Sequence, residues 1–286
     1  MNPTARLRCV AGARFAAAAL LALLVGCDGA APAASASSAM PVLPQLSDTA
    51  LAQLAERRIF FGHQSVGANL LDGVADLMQV DERLRLRVVQ TDSPETIDGP
   101  GFFHAFVGDN RRPDAKNADF SRIVNAGFGA RGGVALLKYC YLDVSPSTDV
   151  DRLFAEYRRM VDSLRAEHPA LTIVHVTQPL TVPENAIEAR VRTLLGKASE
   201  RELNARRQRY NRLMLQAWGA EGTVFDLARI ESTDPDGTRH SYSVGNDTIF
   251  ALAPAYTDDG GHLNALGRRA AAAEFIAFLA RLAPAT

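Results

Sequence analysis

Cysteine is scarce in this chain, with three in 286 residues at Cys9, Cys27 and Cys140 and no C-x-x-C pair. A disulfide framework and a thiolate metal site are both excluded as organising devices. There is no excess of basic charge either: 31 Lys and Arg stand against 32 Asp and Glu, a formal net charge of -1. A nucleic-acid-binding surface normally shows a basic surplus or a basic face, and neither is present. No H-E-x-x-H, EF-hand, P-loop or G-x-G-x-x-G pattern occurs, so no cofactor is expected and a metal site has no motif behind it. His63, Asp259 and His262 could supply metal ligands only if the fold happened to converge them. Internal repeats are also missing. What remains is an ordinary globular composition, 47% hydrophobic and 22% charged.

Long apolar runs are few, and the one at the start is informative. Arg6, Arg8 and Arg14 precede an 11-residue apolar segment, Phe15 to Val25, which is short for a membrane span and has the size of a signal-peptide core. It leads into Leu24-Val25-Gly26-Cys27, which resembles the bacterial lipobox. That resemblance implies cleavage before Cys27, acylation of its thiol and a membrane anchor. A simple signal peptide that happens to contain a cysteine is the plainer alternative. Residues 28–47 are rich in Ala, Ser and Pro and read as a flexible tether. Removing the leader takes three of the 31 basic residues and no acidic one, leaving 28 against 32 and a charge of -4. The expected location is the bacterial envelope, facing the periplasm, with the choice of membrane open. Cys140 would then be the one cysteine within the domain, expected to be buried.

From residue 48 onward, strand-like and helix-like segments alternate. Helices are expected over 50–57, 66–78, 120–126, 149–168, 199–218 and 265–282. Strands are expected over 58–62, 84–91, 133–141, 171–177 and 223–227, with irregular stretches at 92–118 and 231–261. The pattern predicts one three-layer α/β/α domain, residues 48–286, with a flavodoxin-like parallel sheet of about five strands. Ligands of such sheets bind beyond the carboxyl ends of the strands, at the switch point. Ser65, Asp92, Asp143 and Gln178 follow successive strands there, and the loop after the fifth carries Asp259 and His262.

Ser65 sits at the first strand–helix junction, in Gly62-His63-Gln64-Ser65-Val66-Gly67. A serine there can present its hydroxyl at the mouth of the sheet, beside the N–H donors of a helix terminus. The bland reading is a helix N-cap. Near the end of the chain stands Asp258-Asp259-Gly260-Gly261-His262-Leu263-Asn264. A carboxylate three residues before a histidine can fix its tautomer and stabilise the imidazolium. Here the bland reading is a loop histidine before a helix capped by Asn264.

Taken together, the two segments resemble the SGNH/GDSL hydrolase superfamily, over about residues 55–282. The resemblance implies Ser65 as nucleophile, His262 as general base and Asp259 as its orienting carboxylate. It also implies a serine esterase acting on a small ester or an acylated carbohydrate. The chain departs from the family where Gln64 replaces the Asp of Gly-Asp-Ser, and where Leu137 to Asp143 shows no Gly-x-Asn. For the oxyanion, the Ser65 backbone N–H is the one firm donor, with His63, Gln64, Gly108 and Lys138 as further oxyanion or substrate candidates. Lys138 interrupts an apolar strand and calls for a carboxylate partner, Asp92 or Asp143, or for solvent. An O-acyltransferase using the same triad and a non-catalytic ligand-binding protein remain alternatives. The charged segment 199–218 reads as a solvated helix face.

Overall fold

The computed structural model describes residues 43, 46–196 and 198–282. The leader, Cys27 and nearly all of the tether lie outside them.

Six strands form one all-parallel sheet in the order β2-β3-β1-β4-β5-β6. They are β1 (Arg58–His63), β2 (Val88–Gln90), β3 (Gly101–Phe106), β4 (Gly133–Leu137), β5 (Leu171–Val176) and β6 (Val224–Phe225). Apolar residues point alternately to the two faces, as a sheet buried on both sides requires. Ile59, Phe61, Leu136, Val174 and Val176 join the core shared with α1 (Asp48–Ala55), α2 (Ser65–Val80), α7 (Leu227–Glu231) and α8 (Ala265–Arg281). Phe60, Phe103, Ala135, Leu137 and Ile173 join the opposite core, with α3 (Pro113–Ile123), α4 (Val150–Glu167) and α6 (Glu200–Trp218). The expected three-layer α/β/α architecture is the one observed. Leu43 and Leu46 are buried in the first core, so packing begins ahead of residue 48.

The connection leaving β1 goes to the first face, while those leaving its neighbours β3 and β4 go to the second. A crevice therefore opens at the carboxyl end of β1.

Several elements differ from expectation. The stretch 92–118, expected to be irregular, contains β3, whose Gly-Phe-Phe-His-Ala-Phe pairs with β1 over six residues. The expected strand 84–91 contracts to a three-residue edge, β2. The stretch 231–261 contains a hairpin, β7 (Ser241–Val244) and β8 (Asp247–Phe250), closed by Gly245 at φ +58 and Asn246. A further helix, α5 (Ala186–Leu194), follows β5.

Side chains cap most of the longer helices. Ser47 accepts from Ala50, Asp149 from Arg152, Ser199 from Glu202, and Asn264 from both Leu266 and Gly267. At α2 and α3 the cap positions are held by Gln64 and Arg112, which make no side-chain cap bond.

Candidate active site

The uncapped start of α2 is where the candidate nucleophile lies. Ser65 is the first residue of α2, so the N-cap reading of this serine does not hold. The Gln64 carbonyl accepts from the Gly67 and Ala68 N–H groups at 2.8 and 3.1 Å. The N–H groups of Ser65 and Val66, one turn too early for an intrahelical acceptor, face the mouth of the sheet at the positive end of a 16-residue helix.

The segment 257–264 supplies the other half. Asp259 Oδ1 accepts the backbone N–H groups of Gly261 (2.9 Å) and His262 (2.8 Å). Gly260, at φ +85, makes the reversal that brings these donors back onto the carboxylate. Asp259 Oδ2 lies 2.6 Å from His262 Nδ1, and His262 Nε2 lies 2.9 Å from Ser65 Oγ. The backbone N–H of His262 first, and then its ring, hold the Asp259 carboxyl well below the usual carboxylate range. An ionised Asp259 accepts from Nδ1–H, which fixes the tautomer and leaves the Nε2 lone pair facing the serine hydroxyl. Both side chains are partly open to solvent. Two contacts keep the loop in register: Asn69 in α2 accepts from Leu263 N (3.3 Å), and Gly260 O accepts from Val182 N (2.9 Å). Asn264 also caps α8, so the loop's capping role and its placement of His262 coexist.

Ser65, His262 and Asp259 thus form one hydrogen-bonded chain at the crevice beside β1, in the chain order Ser, Asp, His. No protein-family model and no curated protein matches this sequence. Among solved structures, a GDSL-family lipolytic protein from Desulfitobacterium hafniense aligns with TM-score 0.43 and 8% identity, covering 78% of this chain and 99% of that one. A protein from Streptococcus pneumonia described as a platelet activating factor gives 0.46 and 14%, covering 81% and 92%. The periplasmic domain of a lipopolysaccharide acetyltransferase from Salmonella ser. Paratyphi A gives 0.37 and 14%, covering 83% and 88%. None reaches 0.5, so the reading of the site rests on its own geometry.

The other candidates fall elsewhere in the fold. His63 is fully buried, with Nδ1 on the Gln64 carbonyl (2.9 Å) and Nε2 on His104 Nδ1 (3.1 Å). Burial pushes it down to about 3, so it is a neutral packing residue. With both ring nitrogens engaged, it has no donor to spare for an oxyanion in this conformation. Gln64 donates both amide hydrogens to the carbonyls of Val107 and Gly108, and so buttresses the loop after β3. The Gly108 N–H donates to Asp119 (3.2 Å), which removes it as an oxyanion donor in this conformation. Lys138 is completely buried and donates to the Tyr139 carbonyl (3.1 Å), so it does not reach solvent. Of the two carboxylates expected as its partner, Asp143 belongs instead to Lys116, at 2.5 Å, and Asp92 accepts from the Ser93 hydroxyl. Desolvation lowers the Lys138 ammonium to about 8 and raises the nearby buried Glu231 to about 8. Cys140 is buried, as expected.

Two residues escaped the sequence reading. Tyr141, half-buried in the turn after β4, sets its ring edge against the His262 imidazole with centroids 5.9 Å apart. Burial raises its phenol above the usual value, so it is a hydroxyl donor at neutral pH, with no acceptor among the described residues. Arg207 lies on the helix expected to be a solvated face, yet it is buried. It donates to the Tyr141 carbonyl (3.1 Å) and pairs with Glu200 (3.1 Å). Its contact with Tyr141 spans 66 residues, so helical periodicity gave no signal for it. A cleft of about 1290 Å³ is lined by Arg57, Gly133 and Thr172 at the opposite, amino ends of the strands. It is remote from this chemistry.

Proposed function

We propose that the protein is a serine ester hydrolase, with Ser65 as nucleophile, His262 as general base and later acid, and Asp259 as the orienting carboxylate. The observation that carries this reading is the 2.9 Å approach of His262 Nε2 to Ser65 Oγ across 197 residues of sequence, with Asp259 behind the ring. In the first step His262 takes the hydroxyl proton as Oγ bonds to the acyl carbon. The carbonyl oxygen becomes an oxyanion at the open end of α2, where the Ser65 and Val66 N–H groups are available. Collapse breaks the ester C–O bond, and the imidazolium returns its proton to the departing alcohol. Water, deprotonated by His262, then attacks the acyl-enzyme and frees the acid and Ser65.

The short-acyl, carbohydrate-ester preference rests on the superfamily resemblance. The envelope location and the lipid on Cys27 rest on the N-terminal sequence. Purified protein should hydrolyse 4-nitrophenyl acetate, with the activity lost in Ser65→Ala. A folded wild-type protein inert to every short-chain ester tested removes the hydrolase reading. Incorporation of labelled palmitate in bacteria, abolished by Cys27→Ser, tests the anchor separately.

A further inference from the structure

Arg111 is the one residue other than glycine with positive φ among the described residues, at +69. An L side chain in that conformation is strained and persists only where its surroundings impose it. Here they do. The buried Asp143 carboxylate accepts from the Arg111 backbone N–H (2.8 Å), from Cys140 N (2.7 Å) and from the ammonium of Lys116 (2.5 Å). Lys116 also holds Asn110 Oδ1 (3.2 Å), and Gln64 ties down the start of the same loop at Val107 and Gly108. The loop is clamped at one end to the residue before Ser65 and at the other to the turn after β4.

The Arg111 side chain is exposed and lines a cleft of about 670 Å³. Leu142 and Arg207 line it too, and Arg207 donates to the Tyr141 carbonyl, so the cleft adjoins the turn that carries the tyrosine in contact with His262. Its other ionisable side chains all have partners. Asp143 has Lys116, Arg152 has Glu156 (3.1 Å), Arg207 has Glu200, and Asp149 caps α4. The Arg111 guanidinium has none among the described residues. Ser145 and Thr148, which also line it, add hydroxyls.

We infer that this cleft is a subsite for the alcohol portion of the substrate, and that Arg111 selects alcohols bearing an anionic oxygen group, a carboxylate or a phosphoryl. This rests on the hydrolase reading and specifies its substrate class. A guanidinium offers a planar fork of donors to such a group, and a neutral ester leaves that fork unmatched. The strained backbone then has a purpose, since it sets the direction in which the fork leaves the loop.

Three acetate esters test this on one scaffold: methyl galactoside, methyl galacturonoside and methyl galactoside 6-phosphate. For the wild type, kcat/KM for at least one anionic ester should exceed that of the neutral ester by about tenfold, the scale of one well-formed charge-assisted contact. The ratio of the two anionic esters separates carboxylate from phosphoryl. Arg111→Gly, which accepts positive φ without strain, should bring the anionic-to-neutral ratio close to one, and Arg111→Lys should retain part of it. A wild-type ratio of one, or a ratio unchanged in Arg111→Gly, overturns the proposal. Saturation-transfer NMR with unacetylated methyl galacturonoside and methyl galactoside 6-phosphate, on wild type and Arg111→Gly, reads the site without chemistry. Arg111-dependent binding of either anion without turnover sinks the hydrolase reading alone, turnover without anion preference sinks this one alone, and neither binding nor turnover sinks both.

Discussion

Gly73 of α2 packs directly against the Arg268 backbone of α8: a Cβ at Gly73 would sit 2.2 Å from the Arg268 carbonyl oxygen. Only a glycine lets these two helices approach so closely. One begins with Ser65 and the other follows His262, so the contact sets the separation of the two side chains. Asp76, a turn further along α2, reinforces it by bridging Arg268 and Arg269, both at 2.9 Å. Gly73→Ala gains helix propensity of roughly 1 kcal/mol but must push two backbones apart, an overpacking cost of roughly 1–3 kcal/mol. The overlap is with backbone, which cannot rotate away, so net destabilisation is expected by denaturant titration, along with slower acylation of Ser65. Gly219→Ala, where nothing lies within 4 Å, is the control and should be neutral or slightly stabilising.

Asp259→Asn tests how the tautomer of His262 is set. The carboxylate oxygen on Nδ1 makes that nitrogen the donor and Nε2 the acceptor. An amide turned to keep its oxygen on the Gly261 and His262 N–H groups would present NH2 to Nδ1 and favour the opposite tautomer. The Ser65 hydroxyl would then face a protonated Nε2. A fall in kcat on the order of 10³-fold is expected, with little change in folding stability. Steady-state kinetics on a short ester checks it, and a change of less than tenfold would show that Asp259 does not set the tautomer.

The three-layer architecture and the two segments that bring Ser65 and His262 together were legible in the sequence because their signals are local. Apolar runs marked β1, β4 and β5, and the spacing of Asp259 and His262 fits one tight turn. What was not legible depends on distant contacts. β3 is a six-residue strand bounded by Pro100 and Gly108, and its Phe102 and Phe103 acquire meaning only beside β1. The role of Arg207 depends on Tyr141, and that of Lys116 on Asp143, 66 and 27 residues away. The Gly245-Asn246 pair was a local hairpin signal that went unread, since a two-residue turn of this kind favours positive φ.

Folding stability should fall in mild acid. Burial pushes both His63 and His175 down from 6.5 to about 3. Between those values the unfolded chain binds more protons than the folded one, so stability is lost as pH drops from 6.5 towards 3. Each ring contributes roughly 1.4 kcal/mol per pH unit in that window, or about 2 kcal/mol between pH 6.5 and 5. His175 stacks on Trp218 at 3.9 Å, so His175→Phe keeps an aromatic ring there while removing the titration. Denaturant titrations from pH 7.5 to 4.5 should show a dependence shallower by about one proton in this variant. An identical slope would mean that His175 does not titrate on unfolding.

The central claim is that Ser65 is an activated nucleophile, and covalent labelling tests it without any assumption about substrate. Protein treated with a fluorophosphonate and digested for mass spectrometry should carry one adduct, on Ser65, absent in Ser65→Ala and strongly slowed in His262→Ala. A folded protein that takes no adduct, or takes it on another serine, would contradict the account.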